Sequence, residues 1–269
     1  MPGSDDDLDL LIGAAHAAAE VATRYVGGVL DIVDKPGGAG PVTAADLAVN
    51  AVLEERLRGA RPGYGWLSEE SPDDADRLTR EAGFIIDPID GTRSFIEGSD
   101  AWAHSLAVVR GGQVTAAVVF LPLKDRMYTA RTGGGAALNR RAIRRSGRAD
   151  PEGATVLAAR PAFDAQHWRG IGAPRVTRHH RPSLAYRLSL VAEGRFDAML
   201  TLRDSWEWDI AAGALILSEA GAVVTDRAGA PLLFNKVWPQ ARGVLAGTPS
   251  VHAALLAGLR PDDAQADET

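Results

Sequence analysis

Asp87-Pro88-Ile89-Asp90-Gly91-Thr92 is the segment of this chain best equipped for chemistry. The apolar run Phe84-Ile85-Ile86 precedes it, so a short buried strand delivers two carboxylates, three positions apart, into a tight turn. Pro88 stiffens the turn, and Gly91 permits an unusual backbone angle or the close approach of a ligand. If Thr92 opens a helix, the Gly91 and Thr92 amides form an anion site, and metal and phosphate can share one location. Asp and Gly are also common turn residues, so the hexapeptide by itself reads equally well as a plain loop.

Three more acidic segments accompany it: Ser68-Glu69-Glu70-Ser71, Trp206-Glu207-Trp208-Asp209-Ile210, and Pro41-Val42-Thr43-Ala44-Ala45-Asp46. Each has a bland alternative. The glutamates suit a solvated turn, Asp209 suits the N-cap of a helix starting at Ile210, and Asp46 suits a helix first turn.

Composition limits the possible chemistry. The chain has 269 residues and no cysteine, which excludes disulfides, thiolate catalysis and zinc–thiolate sites. Hard oxygen donors remain, and those suit Mg²⁺, Mn²⁺ or Ca²⁺. A net charge of -6 argues against a nucleic-acid polymer or membrane surface as partner. An acidic protein that binds phosphate needs a local reversal of sign, which bound cations provide. The N-terminus is acidic where an export signal is basic and apolar, and no apolar run approaches the roughly 18 residues of a membrane span. A cytoplasmic location is expected.

In this order and spacing the four segments resemble the signature of the inositol monophosphatase superfamily. Its members include inositol monophosphatases, 3'(2'),5'-bisphosphate nucleotidases, histidinol-phosphate phosphatases and some fructose-bisphosphatases. The resemblance covers roughly residues 5 to 260. It implies a lithium-sensitive Mg²⁺-dependent phosphatase with two to three ions per site, Mn²⁺ as a substitute, and a homodimer. Glu69, Asp87 and the Ile89 carbonyl would hold one ion; Asp87, Asp90 and Asp209 a second. Thr92, hydrogen-bonded to Asp46, would with Glu69 activate water, and the Gly91 and Thr92 amides would hold phosphate oxygens. Lys35 matches a lysine near a weaker third ion.

Several details lean toward a nucleotide such as 3'-phosphoadenosine 5'-phosphate. Arg93 follows Gly91-Thr92, Glu207-Trp208 precedes Asp209, and Ser183-Leu184-Ala185-Tyr186-Arg187 carries a basic residue where inositol enzymes are usually neutral. Arg93, Ser183, Arg187 and Glu207 are therefore candidate substrate contacts. Inositol enzymes typically have an acid seven positions before the metal aspartate, and that position is Leu202 here. Inositol 1-phosphate, then histidinol phosphate or a sugar phosphate, are the alternatives. A regulatory binding protein on the same fold and a cation buffer are the non-enzymatic ones.

The elements that must position these residues follow from pattern. Leu8, Leu11, Ala15, Ala18 and Ala22 share a face behind the acidic start Asp5–Asp7, which predicts a first helix. Thr43 caps a second helix with Leu47, Ala51, Val52 and Leu57 inward and Gly59 at its end. Ser105 to Val109 and Val114 to Leu121 flank Arg110-Gly111-Gly112-Gln113 as a hairpin, and Met127 to Arg131 adds a strand. This N-terminal half, residues 1–148, reads as helices followed by an antiparallel sheet, an α+β arrangement carrying most of the metal ligands. Residues 149–260 alternate in α/β order: strands at 155–159, 198–202, 223–225 and 244–246, helices at 183–193, 210–220 and 249–259. This half carries Asp209. Residues 261–269 read as a frayed tail. Together the halves form an α/β protein, and the resemblance implies a layered αβαβα sandwich of the sugar-phosphatase type. His179-His180, the basic run Arg140 to Arg145 and Gly133-Gly134-Gly135 read as surface features, and Trp102 and His104 carry no assigned role.

Overall fold

The computed structural model describes residues 3–28, 30–35, 37, 40–170 and 172–261. Most of the tail and part of the loop between Lys35 and Pro41, expected to order as metal binds, lie outside the described residues.

Helix α1 (Ser4–Ala22) and helix α2 (Ala44–Ala60) are separated by the antiparallel pair β1 (Ile32–Asp34) and β2 (Pro41–Thr43). Next come β3 (Gly65–Ser68), β4 (Ala82–Asp90) and the short helix α3 (Thr92–Ile96). The meander β5 (Ala103–Arg110), β6 (Gln113–Leu121), β7 (Arg126–Arg131), β8 (Gly135–Leu138) and β9 (Arg141–Ile143) follows. The second half runs β10 (Thr155–Ala158), β11 (Thr177–His179), α4 (Leu184–Ala192), β12 (Ala198–Thr201), β13 (Ser205–Trp206) and α5 (Glu207–Glu219). It ends with β14 (Val223–Thr225), β15 (Gln240–Ala241), β16 (Val244–Gly247) and α6 (Pro249–Gly258).

A seven-stranded sheet takes β3 to β9 in sequential order, and a five-stranded sheet has the order β11-β10-β12-β16-β14. Strand periodicity divides the core. Phe84, Ile86, Leu106, Val108, Val118 and Phe120 face α1 and α2, whereas Ile85, Ala107, Val109, Ala117 and Val119 face α4 and α5. On their other side α4 and α5 meet Met199, Val244 and Ala246 of the smaller sheet. The outer face of that sheet packs Val156, Leu200 and Leu245 against Trp168 and the α6 residues Val251 and Leu255. The layers are therefore αβαβα. Helix α5, squeezed between two sheets, is apolar nearly all round, as such a position demands. Gly213 lets it approach α4, because a Cβ there would lie 2.7 Å from Leu188.

Four expectations need correction. The buried face of α2 is Ala45, Val49, Leu53 and Leu57, while Leu47 and Ala51 face outward. The Thr43 cap, with Asp46 turned inward, fixes the helix rotation, and propensity cannot see that. Strand β3 runs parallel to β4, so the first sheet is not wholly antiparallel. Strand β4 continues past Ile86 to Asp90, and α5 starts at Glu207 rather than Ile210. Asp209 is thus a first-turn residue, not a cap.

The acidic start of α1 also does more than complement a dipole. Asp7 is fully buried, accepting hydrogen bonds from Arg61 Nε at 3.0 Å, Arg110 Nη2 at 2.8 Å and Tyr64 OH at 3.0 Å. It ties α1 to the end of α2 and the edge of β5. Removing one partner of a buried ion pair costs about 3–5 kcal/mol, and less where the partner charge reaches water. The two arginines are partly exposed, so Asp7→Ala is expected to cost about 2–3 kcal/mol in urea unfolding. A loss below 0.5 kcal/mol would contradict this role.

Candidate active site

The parallel pairing of β3 and β4 assembles the site. Ser68 lies opposite Ile86, so the next residues, Glu69 and Asp87, leave the sheet side by side at the carboxyl ends of two parallel strands. The Glu69 amide donates to the Ile86 carbonyl at 3.2 Å. Ser68 Oγ donates to Asn50 Oδ1 at 2.7 Å, and Ser71 Oγ accepts from Asn50 Nδ2 and Trp66 Nε1, which holds the glutamate turn against α2.

Residues three apart on a regular strand face opposite sides, but Asp87 and Asp90 do not. Asp87 pairs with Ser105 and Asp90 with Ala103, so β4 spends an extra residue at Pro88-Ile89 and bulges. Pro88 has no amide to leave unpaired there. Its carbonyl is bound by the imidazole of His104, which is wholly buried against Trp102 and pushed down to about 4 by that burial. Ser105, opposite Asp87, donates to the Trp208 carbonyl at 2.9 Å and so brings the start of α5 to β4.

The result is a convergence of distant acids. Carboxylate oxygens of Glu69, Asp87 and Asp209 all lie within 4.8 Å of one another. Asp87 Oδ1 accepts the Ile89 amide at 3.0 Å, while its buried Oδ2 has no partner among the described residues. Burial first, then the negative charge of Glu69, Asp90 and Asp209, holds the Asp87 carboxyl well above its ordinary range. Asp209 is raised well above by burial, then by Asp90 and Glu69. Asp90 is pushed up to about 6, chiefly by burial. Crowded oxygen donors, an orphaned carboxylate oxygen and mutual repulsion fit a hard divalent cation.

The linkage has a definite sign. These carboxyls bind protons more tightly folded than unfolded, where Asp titrates near 3.9. Without metal their contribution to stability is complete below about pH 4 and is lost as pH rises through the folded values, about 6 for Asp90 and higher for Asp87 and Asp209. Cations replace those protons. The Tm gain on adding Mg²⁺ to EDTA-treated protein should therefore be larger at pH 8 than at pH 5.5. An equal or smaller gain at pH 8 would be inconsistent with cation binding by these groups.

Asp90 differs from its neighbours. Its Oδ2 accepts from Ser183 Oγ at 2.6 Å and the Ala185 amide at 2.7 Å, with the Leu184 amide 3.4 Å from Oδ1. It joins the first turn of α4 to β4, and Ser183, which caps α4, is spent on Asp90 and the Tyr186 amide. Ser183 is fully buried, so it is not a free substrate contact. Glu207 needs the same correction: it is fully buried and accepts the amides of Asn235 at 2.6 Å and Lys236 at 3.2 Å, bracing the 235–236 loop.

The remaining residues fall at or near the acids. Thr92 Oγ1 lies 3.3 Å from both Asp46 Oδ1 and the Ile89 carbonyl. Asp46 Oδ2 is fixed by the Thr43 amide at 2.8 Å and its hydroxyl at 2.6 Å. Gly91 takes a φ of 100°, which side chains disfavour, and caps α3. Lys35 Nζ bridges Glu69 Oε1 at 2.8 Å and Glu70 Oε1 at 2.6 Å. A cleft of about 860 Å³ opens from Glu69, Asp90, Gly91, Thr92 and Asp209 toward the second half of the chain. Arg93 lies on its exposed rim, and Arg187, mostly buried, lines its wall. His180, read as a surface residue from sequence, lines the cleft as well.

Comparison with known proteins agrees with this geometry. The profile of the Inositol monophosphatase family matches residues 5–264. The chain belongs to the inositol monophosphatase family. It is a phosphoric monoester hydrolase. An inositol-1-monophosphatase of Rhizobium meliloti is 36% identical over 82% of this chain and 86% of its own length. The Nus factor SuhB of Pseudomonas aeruginosa is 33% identical over 94% and 96%. Among solved structures, Thermotoga maritima IMPase matches with a TM-score of 0.80 and 27% identity, covering 94% of this chain and 96% of that one. No helix among the described residues is long and apolar enough to cross a membrane.

Ser105 and His104 are positioning residues that sequence reasoning missed, and Ser183, read from sequence as a substrate contact, is a third. A lone serine and a histidine outside a motif give no sequence signal; their significance arises from strand register.

Proposed function

We propose that this protein hydrolyses a small phosphate monoester with Mg²⁺ as cofactor, Mn²⁺ serving as a substitute and Li⁺ inhibiting. The observation that carries the reading is the meeting of the Glu69, Asp87 and Asp209 carboxylates at a cleft lined by Glu69, Asp90, Gly91, Thr92 and Asp209. Glu69, Asp87, Asp90, Asp209 and the Ile89 carbonyl would hold the divalent cations, which when bound supply charge neutralisation and a lowered water pKa. Glu69 and the Thr92 hydroxyl orient and deprotonate the attacking water, with Asp46 fixing the hydroxyl. The Gly91 and Thr92 amides receive phosphate oxygens, and Lys35 contributes positive charge beside Glu69. No covalent nucleophile is needed, because phosphoryl transfer depends mainly on positioning and charge.

The relatives are named inositol-1-monophosphatase and Nus factor SuhB, and none of these names is a bisphosphate nucleotidase. Two of the contacts that pointed to 3'-phosphoadenosine 5'-phosphate, Ser183 and Glu207, are also engaged elsewhere. Arg93 and Arg187, at the cleft, keep the nucleotide reading beside the inositol one. Phosphate release from inositol 1-phosphate, 3'-phosphoadenosine 5'-phosphate, histidinol phosphate and fructose 1,6-bisphosphate, with Mg²⁺ and with EDTA, tests the reading. Mg²⁺-dependent release from at least one ester is expected. Inert protein across the panel at high Mg²⁺ would instead support a regulatory binding protein on this fold.

A further inference from the structure

Asp209 is carried by the first turn of α5, and the chain from Asn235 to Ala241 wraps that turn. The Glu207 carboxylate accepts the amides of Asn235 and Lys236, and the Glu207 amide donates to the Pro239 carbonyl at 2.9 Å. Ser205 and Trp206 pair with Ala241 and Gln240. Arg77 grips the same loop from a distant part of the chain. Its Nη1 donates to Asn235 Oδ1 at 2.7 Å and its Nη2 to the Lys236 carbonyl at 2.9 Å. Asn235 Nδ2 returns toward the Arg77 carbonyl at 3.4 Å.

The other side of Arg77 belongs to the segment that carries Glu69. Its Nε and Nη2 hold the two oxygens of Asp73 at 2.6 and 2.9 Å, just beyond the glutamate turn. The 3-10 turn Ala75–Thr79 seats it on β3, so closely that a Cβ at Gly65 would lie 2.8 Å from the Arg77 Cβ. Strand β3 leads directly into Glu69. The guanidinium is buried, and each of its three nitrogens has a partner. Burying a charge is costly unless it is paired, and a planar fork fixes the relative position of all the groups it binds.

We infer that Arg77 and Asn235 are positioning residues for the cation site, cross-linking the Glu69 segment to the start of α5 and so setting the spacing of Glu69 and Asp209. Carboxylates gathered within 4.8 Å repel one another, and the elements bearing them tend to move apart until cations bind. Asp87 stands on β4, which is paired on both sides, whereas Glu69 follows an edge strand and Asp209 opens a helix. Those two donors need an external brace. The path from Asp73 through Arg77, Asn235 and Glu207 supplies one, and it touches neither the cleft lining nor the acids themselves. The role assigned to Arg77 rests on the cation reading of the cluster.

Mn²⁺ binding without substrate, followed by the EPR signal of the free ion, tests the brace. Asn235 has a φ of 60°, so Asn235→Gly deletes its side chain without straining the backbone and keeps the amide that Glu207 accepts. Removing groups that orient metal ligands typically costs 10–100-fold in affinity, and a rise of about tenfold in the Mn²⁺ Kd is expected for Arg77→Ala and for Asn235→Gly. Arg77→Lys should recover part of the loss, and the double variant should be no weaker than the weaker single one. In Mg²⁺ the variants should lose kcat while the KM for the ester changes less than twofold. Melting in EDTA separates positioning from stability. Folded Asn235→Gly protein that binds Mn²⁺ within twofold of wild type would overturn the brace, even if its Tm falls and even if Arg77→Ala fails to fold. Wild-type protein that binds no Mn²⁺ would instead refute the cation reading itself, and the brace with it.

Discussion

Asp87→Asn is expected to lower kcat/KM at least a thousandfold while leaving the metal-free protein as stable as wild type or more so. The two halves of that result have one cause. Asp87 is the most enclosed of the gathered acids, with one oxygen occupied by the Ile89 amide and the other unpartnered. Its charge is opposed by burial and by four neighbouring carboxylates, Glu69, Asp90, Asp209 and Asp46, so it is an unfavourable group in the absence of cations. An asparagine keeps the acceptor for Ile89 and removes the repulsion. It also removes the donor expected to be shared by two cations, and the chemistry goes with it. Thermal melting in EDTA and initial rates in Mg²⁺ check both halves. A drop of several degrees in Tm would contradict the electrostatic part, and retention of a tenth of the activity would contradict the catalytic part.

Asp90→Asn should also abolish turnover, but with the opposite effect on stability. From sequence alone this substitution looks harmless to the fold. The structure adds a second duty, because Asp90 accepts the Ser183 hydroxyl and the Ala185 amide at the start of α4. An amide in its place turns one acceptor oxygen into a donor that faces donors. Hydrogen bonds to a charged group are worth about 1.5–3 kcal/mol each, and the energy of removing a buried carboxylate offsets part of that loss. A net loss of about 1–2 kcal/mol in urea unfolding is expected. Ser183→Ala should reproduce part of that loss and lower kcat, because it frees Asp90 to turn. If Asp90→Asn were as stable as wild type, the capping role would fail while the catalytic assignment stood.

The contrast between these aspartates marks what the sequence could and could not convey. Asp87, Asp90 and Asp209 were legible as acids because short motifs carry them, and the αβαβα layering followed from strand and helix patterns together with the family resemblance. Their partners were not legible. That Glu69 emerges beside Asp87 depends on the parallel pairing of β3 with β4, although the facing residues Ser68 and Ile86 are 18 positions apart in the chain. That Ser183 serves Asp90 and Glu207 braces Asn235 depends on contacts 93 and 28 residues apart. Local propensity holds no record of such pairings. The outward turn of Leu47 and the burial of Asp7 have the same origin: tertiary contacts outweigh helix periodicity where a charge has strong partners.

Crystals soaked in Mn²⁺ and measured at its absorption edge would probe the central claim most directly. Anomalous density is expected between the carboxylates of residues 69, 87 and 209, with a further peak toward residue 90, and it should vanish in the Asp87→Asn protein. Density elsewhere on the surface, with this acidic pocket empty at saturating Mn²⁺, would contradict the account.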